Sequence, residues 1–160
     1  MSDPIVVPDD IVALLKLREG FKAVSYADTL GKLTGGYGHE LSPREQALYP
    51  KGMRLPQTLT DGWFANDSST AYQAAVLQAS MIGVSDPVLI KALAAVSFQL
   101  GTGWRYKFVT LWTYLKDHEW ENAALDAEGT LWAKESPTRV ADFAAFVRSL
   151  ILPPDNGDAN

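Results

Sequence analysis

The chain has 160 residues, enough for one compact unit or two small lobes sharing a helix. Its composition, 47% hydrophobic and 21% charged, is that of a folded protein rather than a disordered one, and a net charge of −5 argues against a nucleic-acid binder, which would carry a basic stripe. With no cysteine, disulfides and thiolate metal sites are excluded, and the two histidines, His39 and His118, stand in no paired-ligand pattern, so neither metal nor cofactor is expected.

The first residues carry acids where a secretory signal would carry lysines, and Pro4 and Pro8 break the short apolar runs, so no signal peptide and no membrane anchor is expected there. Ile11, Leu14, Leu15 and Arg18 then recur at helical spacing, with Asp9 or Asp10 placed to cap the first turn. This helix delivers Glu19 at its end, where Gly20 suits the left-handed position that closes a helix. From Val24 to Tyr37 alternating β-branched, aromatic and apolar residues predict a hairpin, and Asp28-Thr29-Leu30-Gly31 predicts its turn. Glu19 is thus expected at a helix end, Asp28 at a strand end and Thr34 on the returning strand.

Ser42-Pro43-Arg44-Glu45 is a capping box with proline at the first helical position, and a short helix through Leu48 follows. Pro50, Gly52 and Pro56 predict a loop over 49–58. A long helix is expected from near Thr60 to about Met81, with Trp63, Phe64, Ala71, Ala74, Ala75 and Gln78 at helical intervals. Ser85 or Asp86 caps the next helix, Val88 to Leu100, which is apolar nearly all round and therefore central and buried. Three more helices are expected beyond Tyr106: one holding Phe108, Leu111, Trp112 and Leu115, one from about Trp120 to Trp132, and one after Ser136-Pro137 carrying Val140, Phe143, Val147 and Leu150. Residues 153–160 are short, polar and expected to be disordered.

Two carboxylates on separate elements, Glu19 and Asp28, have a chemical use. One, enclosed, stays protonated while the other, wetter, stays ionised, and that division of labour is what glycoside hydrolysis requires. Acids at helix ends and in turns are also common without any such role. The order of residues narrows the choice: Glu19-Gly20, then Tyr26-x-Asp28, then Gly31-x-x-Thr34-Gly35, then Gly38-His39 resembles the signature of the phage-type lysozymes, a family that includes the T-even phage lysozyme and many endolysins. The looser resemblance runs from about Ile11 to Leu150, and Trp120 to Arg139 resembles the C-terminal part of the T-even enzyme.

The resemblance implies an α+β fold: a small lobe, about 20–60, with a hairpin sheet and a catalytic cleft, and a larger helical lobe, about 61–152 with the N-terminal helix, joined by the long helix into one catalytic domain, 1–152. It implies Glu19 as general acid, Asp28 as base for water, and Thr34 as the residue that positions that water. It implies Phe98 and Gln99 at the cleft floor as substrate contacts, an ion pair between His39 and Asp67 that pins the hairpin to the long helix, and Arg139 reaching the catalytic acid. The implied activity is a monomeric, inverting muramidase that acts on the glycan strands of peptidoglycan, made in the host cytoplasm and released to the wall by a holin, with no cofactor. A lytic transglycosylase, which needs a single Glu, and a wall-binding module that cleaves nothing are the alternatives; Asp28 with Thr34 favours hydrolysis over both. The chain departs from the family in its acidic balance, in Leu111 and Asp126, which replace polar cleft residues, and in Glu40 after His39.

Overall fold

The computed structural model describes residues 5–152, so the N-terminal tetrapeptide and the expected tail at 153–160 lie outside the described residues. The architecture is α+β, with a small antiparallel sheet followed by a long helix and a larger helical region. The chain divides into two compact units, Met1–Gln73 and Ala74–Asn160, and the long helix α3 (Gln57–Ile82) begins in the first and ends in the second.

In the first unit, α1 (Asp9–Glu19) leads into β1 (Lys22–Ala27), β2 (Leu33–Gly36) and β3 (His39–Glu40), which pair in that order, all antiparallel. The expectation that an aspartate caps α1 is not met. Pro8 occupies the cap position without a side-chain bond, and Asp9 and Asp10 lie inside the first turn, where they still oppose the positive end of the helix dipole. The register sets Tyr26 opposite Thr34 and Ala27 opposite Leu33, with an irregularity between Lys22 and Tyr26. The loop after α2 (Pro43–Leu48) is laced to β1: Ser25, fully buried, donates its hydroxyl to Pro50 O at 2.7 Å, and its backbone N–H bonds Met53 O at 3.0 Å.

Leu41, Leu55 and Trp63 form a buried cluster in this unit, with Leu33, Tyr49 and Leu59 packed on it. Gly35 is what lets β2 lie so close. A Cβ at that position would collide with the Leu55 side chain and stand 3.7 Å from the Trp63 ring. Helix α3 starts three residues earlier than the sequence predicts, because Pro56 O accepts the N–H groups of Leu59 and Thr60, and Thr60 returns its hydroxyl to Gln57 O.

In the second unit, α4 (Pro87–Leu100) is capped by Asp86, whose carboxylate accepts Val88 N–H at 2.8 Å, and it buries Leu89, Leu93 and Val96. The short α5 (Trp104–Lys107) and α6 (Val109–Lys116) replace the single helix expected there, and α7 (Trp120–Glu128) and α8 (Leu131–Glu135) replace the run to Trp132. The second break falls at Gly129-Thr130, where Thr130 starts a new helix by capping Ala133 N–H. Helix α9 (Pro137–Arg148) packs against α7, α4 and α8, burying Val140, Phe143 and Val147. Truncating a core leucine such as Leu89 or Leu115 to alanine costs about 2–5 kcal/mol.

One buried polar knot sits in this apolar region. Gln78 donates to Thr102 O at 3.2 Å and accepts from Trp104 Nε1 at 3.2 Å and Ser97 Oγ at 3.4 Å. It ties the end of α3 to α4 and α5, and each of its bonds is one the apolar interior would otherwise leave unmade.

Candidate functional site in the first unit

Glu19 is the last residue of α1 and is half-buried. Its carboxylate lies directly against the backbone of Gly38, so closely that a Cβ at position 38 would overlap the carboxylate oxygen and carbon. Gly38 adopts φ 69°, a left-handed conformation that by itself disfavours any side chain. The tight turn between β2 and β3 therefore does two things: it reverses the chain and leaves a bare backbone face for the Glu19 carboxylate. Beside it, Tyr37 stacks obliquely between Phe21 and Phe64, with ring centroids 5.1 Å apart on each side.

Asp28 sits at the hairpin turn and holds it. Its Oδ1 accepts the N–H of Leu30 at 2.9 Å and that of Lys32 at 2.8 Å, while its own N–H bonds Lys32 O. Oδ2 carries no hydrogen bond among the described residues. One oxygen is thus structural, and the other is available to a water or a substrate. Thr34, buried on β2, donates its hydroxyl to Lys32 O at 3.1 Å. Its lone pairs remain to accept a hydrogen bond from water.

Tyr26 belongs to the Tyr26-x-Asp28 pattern, although the resemblance assigns it no role. It is half-buried, opposite Thr34 in the register and two residues before Asp28. Tyr26 and Thr34, directly opposed in an antiparallel pair, share a face of the sheet. Burial raises the Tyr26 phenol above its ordinary pKa, and the charges of Glu19 and then Asp28 raise it further. The same hydroxyl therefore feels both carboxylates. The signal in the sequence is the Tyr-x-Asp spacing within an alternating strand.

Behind the hairpin, His39 bridges two carboxylates. Its Nδ1 stands 2.7 Å from Asp67 Oδ2 on α3, and its Nε2 stands 3.0 Å from Glu45 Oε1. The imidazole also stacks on Trp63, centroids 4.3 Å apart and 18° from parallel. Glu45 is the same residue that closes the capping box of α2, accepting Ser42 N–H at 2.9 Å. Burial opposes the His39 charge, but the hydrogen bonds to Asp67 and then Glu45 outweigh it and raise the imidazole pKa. Glu45 is lowered: burial opposes its charge, and the Ser42 and His39 hydrogen bonds overcome that cost.

Phe98, Gln99 and Arg139 lie in the second unit. Phe98 and Gln99 are half-buried near the end of α4, and Arg139 is half-buried in the first turn of α9. The Gln99 amide is engaged at both ends, accepting from Trp132 Nε1 at 2.9 Å and donating to Ser136 Oγ at 2.9 Å. Ser136 stands at the cap position of α9. It makes no side-chain cap bond, and its hydroxyl receives Gln99 instead. Among the described residues, no group of three or more His, Cys, Asp or Glu side chains is placed to hold a metal ion, and no helix is long and apolar enough to cross a membrane.

The chain is similar to the peptidoglycan hydrolase gp36 of Pseudomonas phage phiKMV, 26% identical over 125 residues. That alignment covers 78% of this chain and 14% of the relative, so the chain spans only a small part of that relative's length. The family model described as phage lysozyme matches residues 16–143, a span that begins just before Glu19 and ends within α9. With its small antiparallel sheet, long helix and helical region, the chain belongs to the phage lysozyme family.

Proposed function

We propose that this chain is a peptidoglycan hydrolase of the endolysin type, a muramidase that cleaves the β-1,4 bond between N-acetylmuramic acid and N-acetylglucosamine. Glu19 protonates the glycosidic oxygen. Asp28, through Oδ2, takes a proton from a water that Thr34 orients, and that water attacks the far face of the sugar with inversion. Phe98 and Gln99 contact the glycan, and the His39–Asp67 pair keeps the hairpin in place. The enzyme works as a monomer in one catalytic domain, without a cofactor, on wall that it reaches from the host cytoplasm through a holin. What supports the reading is the phage lysozyme family match over residues 16–143, which spans Glu19, Asp28 and Thr34, together with an Asp28 carboxylate whose Oδ2 makes no hydrogen bond among the described residues. Two carboxylates on separate elements, one at the end of α1 and one at the hairpin turn, suit acid–base cleavage of a glycan.

Turbidity of outer-membrane-stripped Gram-negative cells tests this directly. Wild type should clear them and Glu19→Gln should not. Clearing by Glu19→Gln at the wild-type rate would remove Glu19 from the mechanism. No clearing by the wild type would favour a binding module. Mass spectrometry of the digested wall separates hydrolysis from transglycosylation, since products lighter by one water belong to the latter.

A further inference from the structure

Gly38, the seat of the Glu19 carboxylate, is followed directly by His39, and His39 is held from two helices. From α3, Asp67 Oδ2 stands 2.7 Å from Nδ1, and Trp63 stacks on the ring with centroids 4.3 Å apart. From α2, Glu45 Oε1 stands 3.0 Å from Nε2. On β2 the register partner of His39 is Gly35, which brings no charge, and the neighbouring Glu40 is paired with Lys32 at 3.4 Å. Each ring nitrogen thus faces a carboxylate oxygen. An ionised carboxylate only accepts hydrogen bonds, so both contacts are made at once only by the imidazolium, which carries a proton on each nitrogen. A neutral ring has one N–H and turns a lone pair toward the other anion.

Glu45 has a second task at the same atom. Its Oε1 also accepts Ser42 N–H at 2.9 Å, closing the capping box of α2. A capping box needs only an acceptor there, and glutamine serves as glutamate does. The negative charge of Glu45 is therefore surplus to the cap and acts on His39. Its effect reaches Glu19 because Gly38 sits in the tight turn between β2 and the held residue 39, at a left-handed φ of 69°, with the Glu19 carboxylate directly against it.

We propose that Glu45 is a positioning residue for the Glu19 carboxylate and acts through His39: while the imidazole carries both protons, α2 and α3 together hold position 39, and with it the Gly38 backbone on which Glu19 rests. Its effect on catalysis rests on the hydrolase reading above. The device makes the seat of the acid sensitive to pH. Burial lowers the His39 pKa, but the hydrogen bonds to Asp67 and Glu45 raise it by more. The seat is therefore complete below the ordinary value of 6.5 and loosens as pH rises through the higher folded value. A misplaced acid impairs the chemical step rather than the binding of the glycan, so kcat carries the effect more than KM.

Glu45→Gln keeps the cap acceptor and removes the charge, so His39 should lose its second proton at lower pH than in wild type. On purified peptidoglycan, kcat and KM are measured for both proteins from about pH 5 to about pH 9. The ratio of wild-type to variant kcat should lie within about twofold at pH 5 and rise to about threefold or more above pH 6.5, with KM little changed. A ratio that stays within twofold throughout overturns the proposal. So does a ratio equally large at both ends, which is what a purely structural loss gives, or a change confined to KM. A second measurement does not depend on activity. In protein 13C-labelled at the glutamate carboxyls, the Glu19 resonance is assigned by its absence in Glu19→Gln and the His39 ring resonances by their absence in His39→Gln. The Glu19 signal should show a step at the His39 midpoint, and step and midpoint should move together to lower pH in Glu45→Gln. If Glu19 shows no such step, the hold on His39 does not reach the acid and the proposal fails, even for an active hydrolase. If the step is present but wild type cleaves no glycan, the hydrolase reading fails and takes this one with it, so the two failures are told apart.

Discussion

The Glu19 carboxylate is seated on the backbone of Gly38, with no room between them for a methyl group. The end of a helix and the turn of a sheet, nineteen residues apart in sequence, thereby place one carboxylate. The contact needs a left-handed residue and an absent side chain at the same position, and only glycine supplies both.

Gly38→Ala is therefore expected to damage the site more than the fold. The added methyl must push Glu19 aside, and the φ of 69° adds about 1–2 kcal/mol of strain. Activity should drop by about 100-fold or more, since misplacing a catalytic group by an ångström is enough for that. Cell-wall turbidity and a urea melt on the same preparation separate the two effects.

Asp28 allows chemistry and turn to be pulled apart. Asparagine keeps an Oδ1 that accepts from Leu30 and Lys32, so Asp28→Asn should fold with near wild-type stability while losing most activity, by a factor on the order of 100. Asp28→Ala loses the acceptor as well and should cost about 1–3 kcal/mol in addition. Equal stability of the two variants in denaturant unfolding would contradict the hairpin role.

The His39 cluster makes stability pH-dependent in a definite direction. The His39 pKa is raised, so its contribution is complete below the ordinary value of 6.5 and fades as pH rises through the higher folded value. The Glu45 pKa is lowered, so its contribution is present above the ordinary 4.5 and is lost as pH falls through the lower folded value. Asp67→Asn should therefore cost most between these ordinary values, about 1.5–3 kcal/mol at pH 6, and clearly less at pH 9. Urea unfolding of wild type and variant at the two pH values gives the difference.

Gln99 is tied to Trp132 and Ser136, so its replacement has a structural consequence whatever it does for a glycan. Gln99→Leu leaves the Trp132 N–H and the Ser136 hydroxyl without their partner and should lower stability by about 1–3 kcal/mol. A double variant with Trp132→Phe should cost less than the sum of the two singles, which a mutant cycle measures.

Much of this protein can be read from the chain alone, because local physics writes it there. The helix that ends at Glu19, the turn at Asp28, the capping box at Ser42 and the Asp86 cap depend on neighbours a few residues away, and the α+β order follows from the change of apolar period from two to three and four. The spacing of Glu19, Asp28 and Thr34 is likewise a local pattern. What only the tertiary structure decided depends on distance in space. No local rule says that Gly38 forms the seat of Glu19, that the capping-box Glu45 is also a partner of His39, or that Ser136 serves Gln99 rather than its own helix. Each is a contact between different elements, which packing brings together after the local elements have formed. The breaks at Phe108 and Gly129 belong to the same class, since apolar spacing runs on through both and only tertiary packing settles where one helix stops and the next begins.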